Sequence, residues 1–132
     1  MALQNISLPE PAAGDYEMLH RLLNLYEEER QLYDRVLELS RAQGDIVRRG
    51  GSLGEVRRIL EQKKSTLEII SRLEMTEQRS KAAWEKHRHG WPANDRARVH
   101  QALQTVAAII EEILVCEEKN DLDLIETTRV MA

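Results

Sequence analysis

The chain has 132 residues, of which 42% are hydrophobic and 32% charged, with 3 prolines, 6 glycines, no phenylalanine and a net charge of −4. That balance is too apolar for a disordered tail, too poor in turn residues for a β-sandwich, and too acidic for an ordinary nucleic-acid binder. Cys116 is the single cysteine, which excludes an internal disulfide and a cysteine-based zinc site.

No unbroken apolar run approaches about 18 residues, and the N-terminus has no charged stretch leading into an apolar one. The expectation is a cytoplasmic chain of one domain without membrane insertion. With few aromatics, its core must come from Leu, Ile, Val and Ala, the residues that interlock between long helices.

Residues 1–14 carry two prolines and a glycine without helical period, so they read as a flexible lead-in. The domain then spans 15–127, with Asp15 at the N-cap of a first helix. From 15 to 49 a seam in steps of four and three joins Met18, Leu22, Leu25, Leu32, Val36, Leu39 and Ile46, interrupted only by Glu29 and Gln43. Leu19, Tyr26, Tyr33 and Val47 widen it, as suits a helix with two neighbours.

Gly50-Gly51 should end that helix, and Ser52 with Glu55 makes a capping box for the next. So short a turn sends the second helix back along the first. The second helix covers about 53–88 on Leu53, Val56, Ile59, Leu60, Leu67, Ile70, Leu73 and Trp84. Its pattern fades across the polar stretch 74–81, which leaves a bend or a protruding segment open.

The His89-Gly90-Trp91-Pro92 stretch is the second break. A third helix over 95–127 follows Val99, Leu103, Val106, Ile110, Ile113, Glu117, Asn120 and Leu124. The fold expected is therefore all-α, an antiparallel three-helix bundle of long, coiled-coil-like helices.

Residues with chemical potential have plainer readings. Glu17-x-x-His20 has the spacing of a di-iron ligand pair, yet no second copy exists to complete the site. His87, His89 and His100 gather at the second turn without a motif-spaced acidic or thiol partner, and reads as a cap. No phosphate loop, nucleophile–base set or activated thiol is found, so neither an enzyme, a metal site nor a cofactor is expected. Arg57 and Arg58 stand in the opening turns of a helix, where its dipole disfavours them, and are candidates for contact with an acidic partner. The acidic run Glu117, Glu118, Asp121, Asp123 and Glu126, set against these bases, could guide self-association.

Three segments, LLNLYEEERQLYDRVLEL, LGEVRRILEQKKSTLEIISRLEMTEQR and IIEEILVCEEKNDLDLIE, carry a family resemblance. Together they are similar to the FlgN-type flagellar export chaperones. The resemblance implies a small cytoplasmic helical protein that escorts a hook–filament junction client to the type III export apparatus. Such a role needs exposed apolar anchors at helical spacing. Val106, Ile109, Ile110, Ile113 and Leu114 spread over a wider arc than one neighbour covers, and Leu122 and Leu124 extend it. These seven are the candidate client-binding residues. The alternative is a self-assembling helical adaptor, in which Glu29, Gln43, Glu117 and Asn120 fix register as buried polar groups do in coiled coils.

Overall fold

The computed structural model describes residues 10–131, whose secondary structure consists of α1 (Ala13–Arg48), α2 (Leu53–Thr76), α3 (Gln78–Lys86) and α4 (Ala93–Met131). Four helices stand where three were expected. Most of the expected lead-in, residues 1–9, lies outside the described residues.

Asp15 is inside α1 rather than at its cap. Ala12 is the N-cap residue, and the Asp15 carboxylate accepts its backbone N–H at 2.9 Å. At the other end the glycine pair works as anticipated. Gly50 adopts φ +72°, its N–H reaches Val47 O, and Gly51 N–H reaches Ile46 O at 2.8 Å. This is the paired 5→2 and 6→1 closure that a left-handed residue permits. Ser52 and Glu55 then exchange the two hydrogen bonds of a capping box, at 3.0 and 3.2 Å.

The expected second helix is broken at Glu77, with φ −100° and ψ 20°. Its carboxylate is drawn sideways, accepting two hydrogen bonds from the Arg21 guanidinium and one from Ser80 Oγ. Thr76 Oγ1 meanwhile bonds back to Arg72 O, a pattern that bends helices.

Cross-helix ties set the directions. Lys63 meets Gln43 and Glu77 meets Arg21, so α2 runs antiparallel to α1. Arg41 meets Glu112 and Arg48 meets Asp123, so α4 runs parallel to α1. All the other helices pack on α1, whereas no α-carbon of α2 or α3 comes within 8 Å of one in α4 among the described residues. The arrangement is a spine with flanking helices, more open than the closed three-helix packing expected.

The main core lies where the first half of α1 meets the first half of α4. Leu19, Leu22, Leu25, Tyr26, Val99 and Val106 are buried there, closed off by Trp91. Trp91 stacks on Trp84 at 5.3 Å, meets Tyr16 edge-on, and donates from Nε1 to Trp84 O at 3.0 Å. The turn expected to be a mere break therefore plugs one end of the core.

Leu22 has no exposed surface. Leu22→Ala should cost about 2–5 kcal/mol, the range for a buried leucine that leaves a cavity. Urea unfolding measures this; a loss under about 1 kcal/mol would contradict the core as described.

Candidate functional site

Near the far end from Trp91, the spine changes character. Ser40 and Gly44 are buried on α1 facing α4, and Asn120 donates from Nδ2 to Ser40 O at 2.8 Å. A Cβ at Gly44 would collide with Asn120 Oδ1, so only glycine lets this amide sit so near the α1 backbone. Ser40 Oγ donates to Glu117, and Lys63 reaches from α2 to bond both Glu117 and Gln43 Oε1. Side chains of α1, α2 and α4 thus meet in one polar layer.

Three of the four polar seam residues, Gln43, Glu117 and Asn120, belong to that layer. Burial pushes the Glu117 carboxyl up, but hydrogen bonds from Lys63 and Ser40 and the Lys63 charge outweigh it, leaving the group below its ordinary value. Its contribution is present above the ordinary glutamate range and lost as pH falls through the lowered value.

Glu29 is different. It is 4% exposed, and its Oε1 has no hydrogen-bond partner among the described residues. Burial lifts this carboxyl, with the Lys81 charge pulling the other way.

The histidines of the second turn do not come together. His87 is buried, edge-on to Trp91, with Nε2 2.9 Å from Asp15 Oδ2; His89 and His100 are exposed. The Asp15 carboxyl is lowered, first by the Ala12 backbone N–H and further by His87 and Lys86. Among the described residues no three His, Cys, Asp or Glu side chains converge as a metal site would require.

The seven candidate client-binding residues divide along α4. Val106 belongs to the core at 7% exposure, which removes it from any binding surface in this structure. Ile109, Ile110 and Ile113 are half-buried, whereas Leu114, Leu122 and Leu124 are exposed. Val115, at 63% exposure, was not among the candidates because it lies off the seam. The row Ala108, Val115, Leu122, at steps of seven, is the signal that would have found it.

Ala108 and Val115 border an open groove of about 730 Å³ between α1 and α4, whose other walls include Leu37, Cys116, Arg41 and Lys119. Leu37 and Cys116 give it an apolar floor, while Arg41, Lys119 and the neighbouring Glu111 and Glu112 charge its rims. That combination suits an amphipathic helix better than a small polar substrate. Arg57 and Arg58 are exposed on α2, away from this groove, and make no ion pair among the described residues.

α4 is also apolar in a way that counting unbroken runs misses. Within Ala93–Glu126 lies an 18-residue window of mean hydropathy 1.3, long and apolar enough to cross a membrane, of which only 17% is buried. Glu112 and Glu117 of this helix are paired with Arg41 and Lys63.

Compared with protein-family models, curated proteins and solved structures, the chain matches none.

Two outcomes test the polar chemistry. Lys63→Met strands Glu117 and should cost about 2 kcal/mol near neutral pH. Adding Glu117→Leu should recover most of that, since a packed apolar pair replaces a buried ion pair without penalty. Chemical denaturation of both variants decides it, and a double variant as unstable as the single one contradicts the account.

Glu29→Gln has the opposite sign. A carboxyl raised in the folded state contributes stability below its ordinary value that is lost as pH rises through the raised one. The variant should therefore gain about 1 kcal/mol near neutral pH and nothing below about pH 4. Melting curves at both pH values check this; an equal gain at both would show that ionisation is not the cause.

Proposed function

We propose that this chain is a helix-binding protein, and that it acts as a cytoplasmic escort of the FlgN type for a hook–filament junction client. The groove between α1 and α4 receives an amphipathic client helix, with Val115 as its anchor and Leu122, seven residues further along the same row of α4, extending the contact beyond the groove. No bond of the client is broken, so no catalytic residue, metal or cofactor is invoked.

The observation that carries this reading is a mismatch within α4. It is the most apolar of the four helices, yet 17% of its apolar window is buried. A helix apolar around much of its girth normally has neighbours on several sides. Large exposed apolar patches rimmed by polar groups mark interaction sites. Val115 and Leu122 are both more than half exposed, and among the described residues α1 is the one helix whose α-carbons come within 8 Å of those of α4.

Protein suits this surface better than lipid. Glu111 and Glu112 interrupt the apolar stretch, and carboxylates at the centre of a bilayer are costly. A client helix accommodates them at the rim, where a basic residue of its own pairs with them. The resemblance of the three helical segments to FlgN-type chaperones supplies the client class.

The test is calorimetric titration with a synthetic peptide of the terminal amphipathic helix of a hook–filament junction protein. Val115→Glu should weaken binding about tenfold or more, equivalent to about 1.4 kcal/mol, with little change in Tm because Val115 is exposed. Absence of binding by the wild-type chain removes the flagellar client. Equal binding by wild type and variant removes the α1–α4 groove.

A further inference from the structure

We infer that a second copy of this chain seats across the cleft between α2 and α4, so that α2 of each copy lies along α4 of the other. This surface is on the opposite flank of α4 from the client groove, and the inference does not depend on the client.

The cleft is defined by its single described bridge. Lys63 and Glu117 reach across from α2 and α4, although the two backbones do not come within 8 Å at their α-carbons. Residues three and four away on a helix share a face. Leu60 and Leu67 therefore flank Lys63, and Leu114 and Asp121 flank Glu117. All four are exposed. Leu53 extends the α2 row at 82% exposure, and Ile125 extends the α4 row. These rows, apolar apart from Asp121, consequently face an open cleft and are left exposed among the described residues.

The charges beside those rows name the occupant. On α2 they are Arg57 and Lys64; on α4 they are Glu118 and Asp121. These residues are exposed and unpaired among the described residues, whereas Arg21, Arg30, Arg35, Arg41, Arg48 and Arg49 each hold a carboxylate. One wall is basic and the other acidic, so the surface is complementary to itself.

Height then selects the symmetry. Lys63 stands level with Glu117, and α2 descends as α4 rises, each at about 1.5 Å per residue. Leu67 is thus level with Ile113 and Leu114, Lys64 lies within a turn of Glu118, and Arg57 within a turn of Asp121. A two-fold axis parallel to the helices preserves these heights and places the basic wall of one copy on the acidic wall of the other. An axis across the helices would set α2 on α2 instead, with Lys64 near the Lys64 of the second copy, like charge against like. The parallel axis is the one that satisfies both apolar rows and both charged walls.

The experiment is sedimentation equilibrium of the full chain at low salt, with Lys64→Glu, Glu118→Lys and the double variant Lys64→Glu/Glu118→Lys. Both positions are exposed and unpaired, so the fold is retained, and circular dichroism of each variant verifies it. The wild type is expected to dimerise. Each single variant should weaken the dimer about tenfold, since two symmetry-related contacts turn repulsive, and the double variant should return to within about threefold of the wild type.

A wild type that stays monomeric up to about 1 mM overturns the inference, as does a dimer indifferent to Lys64→Glu. Failure of the double variant to recover overturns the α2-to-α4 pairing. A monomer that floats with phosphatidylcholine vesicles assigns the exposed rows to lipid and overturns it too. Val115→Glu should leave dimerisation unchanged, so the outcome here is distinct from failure of the client groove.

Discussion

Everything in this molecule is organised by the packing of α1, because the flanking helices lean on it and barely on each other. A single amphipathic helix has a limited arc to offer. On α1 that arc is divided between α4, which takes Ser40, Gly44 and Arg48, and the α2–α3 arm, which takes Gln43 and Arg21. Sharing one helix between two neighbours keeps those neighbours apart. Each then has one side covered and the other left to solvent or to a partner. Isolated helices are marginal in water, so α2 and α4 owe their persistence to that one shared surface.

The two ends of the spine are held by different physics. At one end leucines, valines and a tryptophan exclude water, and the associated energy is large and non-directional. At the other, Ser40, Gln43, Lys63, Glu117 and Asn120 satisfy each other through directional bonds. Taking Lys63 and Glu117 out of water costs about as much as their attraction returns, so this layer contributes alignment more than stability. It ties the height of α2 to that of α4 through side chains, although no α-carbons of the two helices come within 8 Å among the described residues.

Local chemistry was legible in the sequence, and tertiary coverage was not. Gly50, Gly51, Ser52 and Glu55 act through neighbours a few residues away, and the turn they build follows from their order alone. The polar seam positions Gln43, Glu117 and Asn120 stood out as interruptions of apolar rows, but their partners within the chain could not be read from that. Glu29, an interruption of the same kind, has no hydrogen-bond partner for Oε1 among the described residues. Glu77 breaks a helix by reaching Arg21, a residue 56 positions earlier, so the fading pattern marked the place without fixing the cause. Val106 and Leu114 illustrate the same limit on α4: periodicity shows that both are apolar, but which of them faces α1 depends on where α1 lies. The flagellar client proposed above rests on those same periodic segments, which carry no geometry.

The position of the indoles has a practical consequence. Trp84 and Trp91 are the two tryptophans of the chain, and they are stacked together at one pole. Selectively excited tryptophan emission therefore watches that pole alone. Opening of the polar layer, fraying of the distal end of α4 or separation of α2 would pass unseen by fluorescence while amide absorption in the far ultraviolet recorded it. Non-coincident transitions from the two probes would thus report the order in which the halves of the spine let go, without any label.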